Sequence, residues 1–271
     1  MYGAILGDMI GSRFEFDRGG WTKEFELLTE GCEWTDDTVM TVAVADALLR
    51  AGKDASTAEI EAACTEAMRR WGRRYPHAGY GGRFANWLTT LERESGPYGS
   101  YGNGSAMRVS AAGWLYDTPE RTREVARATA NVTHNHPEGI KGAECTAMVI
   151  YLGRTGAGKE EIREYVIREF GYDFSETLEE MRARHAHVES CQDSLPKALR
   201  SFFDGTDYED VVRNAVSLGG DTDTLAAIAG AMAEGMYGVP RELKDLCLGR
   251  VESDMREVIG RFEKEVGGRQ E

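Results

Sequence analysis

The sequence predicts an all-α fold, arranged as a single domain over residues 1–271. Apolar residues recur at helical spacing almost everywhere, and period-two alternation over strand length is hard to find. Only six prolines and no Ser/Gly-rich linker interrupt the pattern, and no repeat of solenoid period appears.

Taken in order, residues 38–51 (TVMTVAVADALLRA) are apolar nearly all round, as a central buried helix requires. Further helices are expected over 57–71, 83–92, 105–116, 119–131, 138–152, 159–169 and 207–217. In the next, Leu225, Ile228, Ala229, Met232 and Met236 share one face, and Gly238-Val239-Pro240 stops the helix. Two amphipathic, charged helices are expected between Pro240 and Val266. The Gly-rich parts, residues 1–35, 72–82 and 95–104, read as irregular loops, where function concentrates.

Forty-six acidic residues against thirty-two basic ones give a net charge of −14, which disfavours a nucleic-acid backbone as the main partner. No apolar run approaches the roughly 20 residues a membrane helix needs, and no leader pattern opens the chain. The five scattered cysteines contain no CxxC pair, so neither a disulfide framework nor a zinc-thiolate site is signalled. A cytoplasmic protein without a membrane partner is the expectation.

Two carboxylate clusters stand out: Asp36-Asp37 in EWTDDT and Asp221/Asp223 in GGDTDT, each at the mouth of an apolar helix. Helix capping accounts for one Asp or Thr at such a place, but not for two Asp flanked by Thr, twice. No Arg or Lys lies within several residues of either cluster, and buried carboxylates must be paired, protonated or metal-bound. A hard divalent cation is the best candidate, since four Asp with Thr35 and Thr224 could hold two Mg2+ or Mn2+ ions. A calcium loop fails because no later acidic ligand follows Asp223. An isoprenoid-synthase DDxxD is absent, because Met40 stands four after Asp36, and a DxDxT phosphatase motif would need a preceding strand.

PYGSYGNGSAMR, residues 97–108, is rich in glycine and small polar residues just before a helix, and its amides could cradle a phosphate. A Gly-rich turn is also common as plain punctuation. His134 and His136 in VTHNHPEG gain no Cys or His support for zinc, and His185 and His187 lie in a charged stretch that reads as exposed. His134 reads as a polar pocket wall, with a structural role close behind. Glu15 sits between two phenylalanines, which could bury its carboxylate or gate a pocket; an ordinary helix start explains it as well.

With GDMIGSRFEF, WTDDT, GSYGNGSAMR, THNHPEG and SLGGDTDTLAAIAGAMAEG in this order, the sequence resembles the ADP-ribosylglycohydrolase family of the dinitrogenase-reductase-activating type, from residue 3 to about 240. The resemblance implies a compact multi-helix orthogonal bundle with a central cleft holding two Mg2+ (or Mn2+) ions. Carried over by position, the metal ligands would be Thr35, Asp36, Asp37, Asp221, Asp223 and Thr224. The loop Gly99-Ser100-Tyr101-Gly102-Asn103 would hold the diphosphate and ribose, with His134 towards the adenosine side. Glu15 would contact the second ribose and its leaving group, and Asp221 or Asp36 would act as general base.

The implied activity is metal-assisted hydrolysis of the glycosidic bond between ADP-ribose and an acceptor, with ADP-ribose or an ADP-ribosylated protein or small molecule as partner and a monomer as the working form. A binder without turnover, either a reader or an immunity factor against an ADP-ribosylating toxin, is the competing class. A hydrolase of other ADP-ribose derivatives is a third. The stretch RRYPHAGYGGRFANW, residues 73–87, resembles bacterial members without a clear role.

Overall fold

The structure is a computed structural model that describes residues 1–17, 22–90 and 96–268. Among these the chain is built of helices, and the sole bridge, Gly102 with Ser190, belongs to no strand. The all-α expectation holds, and helix boundaries fall within a few residues of those read from periodicity. Over 83–92 the helix is Gly82–Thr89, while residues 91–92, and Ser95 of the expected 95–104 loop, lie outside the described residues.

At the centre lies α13 (Thr222–Tyr237), buried from Thr222 to Gly235. The expectation of an irregular segment over 1–35 is corrected here, because Tyr2–Ser12 forms α1, a helix buried along its whole length. Gly3, Gly7 and Gly11 explain it. They are spaced one turn apart on one face, and a Cβ at any of them would strike the α13 backbone at Gly230, Ala226 or Thr222. Glycine thus lets two helix backbones meet directly, which outweighs its poor helix propensity. The Thr222 hydroxyl donates to the Gly11 carbonyl at 2.8 Å, and Glu234 accepts the Tyr2 and Gly3 amides at 3.1 and 2.9 Å, capping the start of α1.

Against this pair packs α2 (Asp36–Ala51), buried from Asp37 to Leu48. Thr35 caps it by accepting the Asp37 amide, and Gly52 at φ 83° ends it. Next come α3 (Thr57–Arg74), opened by a Ser56/Glu59 capping box, and α4 (Gly82–Thr89). The single helix expected over 105–116 is instead two short ones, α5 (Gly104–Met107) and α6 (Ser110–Leu115). At the break Arg108 turns inward, donating to the Thr129 carbonyl at 3.3 Å and the Thr133 hydroxyl at 2.9 Å.

Thr118 and Pro119 start α7 (Pro119–Asn131), while His136 and Pro137 start α8 (Pro137–Arg154). Beyond α9 (Lys159–Phe170), periodicity missed α10 (Leu178–Ala183) and α11 (Cys191–Asp204). Pro196 inside α11 hides that helix from a propensity reading, although Leu195, Ala198, Leu199 and Phe202 pack its buried face. The chain continues through α12 (Tyr208–Val216) and closes with α14 (Arg241–Arg250) and α15 (Ser253–Gly267). One apolar cluster runs from Met1 to Phe262, and all five cysteines lie buried and reduced. No helix among the described residues is long and apolar enough to cross a membrane.

Candidate metal centre and cleft

The helix starts carry the chemistry. Asp36 and Asp37 occupy the first turn of α2, and Asp221 and Asp223 flank the first residue of α13. Because α1 and α2 both pack beside α13, these carboxylates converge, joined by Asp8 from α1 and Glu15 from the short 3₁₀ turn Glu15–Asp17. Two triplets result: Asp8, Asp37 and Asp223 offer oxygens within 4.8 Å of one another, and so do Glu15, Asp221 and Asp223. Asp223 belongs to both. Asp36 joins neither triplet; its half-buried carboxylate lines the adjoining cleft.

Hydrogen bonds fix this cluster from behind. Asp8 accepts the Thr35 amide and hydroxyl, both at 2.8 Å, and the Thr38 amide at 3.0 Å and hydroxyl at 2.5 Å. Thr224 donates its hydroxyl to Asp37 Oδ2 at 3.0 Å. Asn103 donates from Nδ2 to Asp221 Oδ2 at 2.6 Å and to the Ser194 hydroxyl at 3.0 Å. Yet Asp37 Oδ1 and Asp223 Oδ1 are buried with no hydrogen-bond partner, a costly arrangement for a carboxylate oxygen.

Among the described residues no Arg, Lys or His forms an ion pair with Asp8, Asp36, Asp37, Asp221 or Asp223. Burial, and then the Asp223 charge, push Asp8 up to about 7. Burial and Asp223 likewise hold Asp36, Asp37 and Asp221 well above the ordinary carboxylate range, and burial raises Asp223 itself. Crowded, unpaired and oxygen-only, the residues fit a hard divalent cation, which would satisfy the two orphaned oxygens.

Beside the acids opens a cleft of about 330 Å³, reached by Ser100, Gly102, Asn103 and His134 from the sequence motifs. Gly99 and Tyr101 do not line it; Gly99 turns the loop at φ 66°, and Tyr101 is exposed with its ring edge-on to His136. The loop amides expected to cradle phosphate are mostly engaged within the protein. Gly99 donates to Asn135 Oδ1 (2.7 Å), Ser100 to the Thr133 carbonyl (3.3 Å), Gly102 to Ser100 Oγ (3.2 Å) and Asn103 to the Glu189 carbonyl (2.8 Å).

Positive charge in the cleft comes instead from Arg83 and Arg108, which sequence reasoning did not single out. Arg108 is buried, and its Nε has no partner. His134 is buried against them with Nδ1 2.7 Å from the Thr133 hydroxyl; burial first, then Arg108 and Arg83, hold it well below the usual histidine range and therefore neutral. Tyr98, Phe84 and Gly79 complete the wall, so residues 79–84 of the stretch with no assigned role form one side.

Arg108 and Asp8 stand inside motifs of the sequence without a role of their own assigned there, and two signals mark them. Arg108 is the sole charge in an otherwise apolar segment, and Asp8 follows the middle glycine of the Gly3, Gly7, Gly11 series. Phe16, next to Glu15, stands in the left-handed region at φ 55°, where a bulky side chain is disfavoured by about 1 kcal/mol or more, and its ring stacks on His187 at 5.5 Å.

A family model described as ADP-ribosylglycohydrolase matches residues 1–271. The chain belongs to the ADP-ribosylglycohydrolase family. It is accordingly a hydrolase, of the glycosidase class. Human ADP-ribosylhydrolase ARH3 is 27% identical over 93% of this chain and 89% of its own length. ADP-ribosylarginine hydrolase Tri1 of Pseudomonas putida is 28% identical over 88% of this chain and 70% of its own. A solved structure titled ADP-ribosylglycohydrolase-related protein complex superposes with a TM-score of 0.68 at 24% identity, covering 97% of this chain and 95% of that one, and so shares the fold.

Proposed function

We propose that this ADP-ribosylglycohydrolase cleaves the glycosidic bond between ADP-ribose and an acceptor in a divalent-cation-dependent reaction, with two Mg2+ (Mn2+ as an alternative) at the acidic centre. The observation that carries it is the pair of acidic triplets sharing Asp223, with orphaned oxygens on Asp37 and Asp223, at the end of a cleft bearing Arg83 and Arg108. Asp8 would join Thr35, Asp36, Asp37, Asp221, Asp223 and Thr224 in forming the cation site, Asp8 from behind through Thr35. The cations, when bound, supply Lewis acidity and lower the pKa of water.

The chain's own residues do the rest. Arg108 and Arg83 neutralise the diphosphate, supported by their position on the cleft wall and by the engagement of the loop amides elsewhere. His134, neutral and fixed through Nδ1, offers Nε2 to the substrate without adding charge. Asp36 and Asp221 are the candidate bases for the attacking water. What supports Asp36 is its open edge on the cleft, whereas one Asp221 oxygen is already held by Asn103. Glu15, in contact range of Asp221 and Asp223, assists the departing acceptor.

Mass spectrometry of free ADP-ribose released from arginine-linked, serine-linked, nucleobase-linked and small-molecule conjugates, with and without Mg2+, tests this reading beside Asp221→Ala. Metal-dependent release from one linkage, lost in the variant, is expected. Full activity of Asp221→Ala would overturn the assignment, and ADP-ribose binding without release from any conjugate would point to a reader or immunity protein.

A further inference from the structure

We infer that the acceptor is a polypeptide whose acidic flank lies along a track of arginines running from the cleft mouth to Asp46, an inference that rests on the hydrolase reading above. A groove of about 750 Å³ adjoins the cleft, sharing Glu15 and Gly79 with it. Its floor carries Arg13, Arg74 and Arg250. Arg13 donates to the Thr29 hydroxyl at 2.8 Å and to the Glu26 carbonyl, and Arg250 donates to the Thr29 and Cys32 carbonyls at 2.9 and 3.2 Å. These neutral acceptors hold both guanidinium groups in place without compensating their charge.

Arg74 also lines a second groove of about 540 Å³, so the two meet at that residue. There a single buried carboxylate, Asp46, is shared by Arg50 (2.9 Å), Arg70 and Arg261 (3.0 Å). One acid organises three bases, and Arg74 pairs with Asp254 beside them; with the Arg50 side chain 54% and the Arg74 side chain 61% exposed, both guanidinium groups still face solvent. A locally positive track on a chain of net charge −14 selects anions by contrast with the surface around it.

A polypeptide fits better than a nucleic acid. Glu33, Asp254 and Glu257 interrupt the track, which suits spaced carboxylates and penalises an unbroken run of phosphates. The Trp34 and Tyr75 rings, edge to face at 5.3 Å, add an aromatic wall for side-chain packing.

The test uses the full chain and one peptide carrying a single ADP-ribosylated arginine, made with glutamate, glutamine or lysine flanks, beside free ADP-ribosyl-arginine. The glutamate-flanked peptide should show a KM about tenfold below the glutamine-flanked one at low salt, with similar kcat, and the gap should close as salt rises. Arg73→Glu/Arg74→Glu, both at exposed positions and both lining the second groove, should erase the gap while leaving KM for ADP-ribosyl-arginine unchanged. Arg168→Glu/Arg184→Glu, at two exposed positions that line neither groove, is the charge-matched control and should keep the gap. If the double variant fails to fold, Arg74→Gln takes its place.

Equal KM for all flanks, or a gap that survives in the variant, overturns the inference. No hydrolysis of these arginine conjugates, together with none across the linkage panel above, sinks the underlying reading instead, and fluorescence anisotropy of the glutamate peptide then decides the track. Binding lost in the variant supports it, whereas absent binding, or stronger competition by an oligonucleotide than by the peptide, overturns it.

Discussion

The Thr224 hydroxyl donates to Asp37 Oδ2 at 3.0 Å, joining the first turn of α13 to the first turn of α2 across 187 positions of sequence. Both helix starts add a positive dipole end to a site whose aspartates form no ion pair with a basic residue among the described residues, which lessens their repulsion without neutralising it. The remaining negative charge is what a cation would meet.

Replacing Asp37 or Asp223 with Asn should therefore separate function from folding. Binding of Mg2+ by calorimetry and ADP-ribose release should both be lost. Metal-free stability should hold or rise by about 1 kcal/mol, because a like-charge neighbour is removed from a buried cluster. A metal-free protein that unfolds on either change would show that the acids serve the core.

The pH dependence follows from Asp8. Its carboxyl lies at about 7 in the folded protein, against about 3.9 for an unfolded aspartate. Between these values the folded state holds the extra proton, so the contribution to stability is complete below pH 4 and is lost as pH rises through 7. A cation competes with that proton. Mg2+ should raise Tm more at pH 8 than at pH 5 in scanning calorimetry, and EDTA should abolish the difference. Equal shifts at the two pH values would place the cation elsewhere.

Asn103 links the cleft loop to the acids through Asp221 and Ser194. Asn103→Ala should lower kcat about tenfold or more by releasing Asp221, with only a small change in Tm. Asn103→Asp should do worse in the absence of metal, since it sets a further carboxylate against Asp221. Both are read by steady-state kinetics against the melting curve, and unchanged kcat in Asn103→Ala would remove the residue from the site.

Gly7→Ala should destabilise the protein by about 2 kcal/mol or more, because its Cβ would fall on the Ala226 carbonyl and force α1 away from α13. Since Asp8 follows directly, cation affinity should fall with it. Gly260→Ala in α15, where a Cβ meets nothing within 4 Å, should instead stabilise by about 0.5–1 kcal/mol. Denaturant melts of the two variants check both signs.

Local pattern alone determined the helical class, most helix boundaries and the two aspartate clusters, because 3.6-residue periodicity, caps such as Thr35 and Thr118, and stops such as Gly238 act within a turn or two of themselves. It misread α1, since three glycines one turn apart weaken a helix considered alone, and their benefit arises only when the α13 backbone lies against them. It passed over α11 for a like reason, the penalty of Pro196 being visible locally and the burial of Leu199 and Phe202 not.

At the centre, the motifs named Asp37 and Asp223, while tertiary packing brought in Asp8, left two oxygens without partners, and set Asp36 on the cleft wall outside both acidic triplets. The loop of Gly99 to Asn103 shows the same division. Its composition promised amides for an anion, but those of Gly99, Ser100, Gly102 and Asn103 are bound to Asn135, Thr133, Ser100 and Glu189, and the positive charge comes from Arg83 and Arg108. Which groups a cleft can offer depends on which have already found partners, and a hydrogen bond between residues far apart in the chain exists only once the helices have packed.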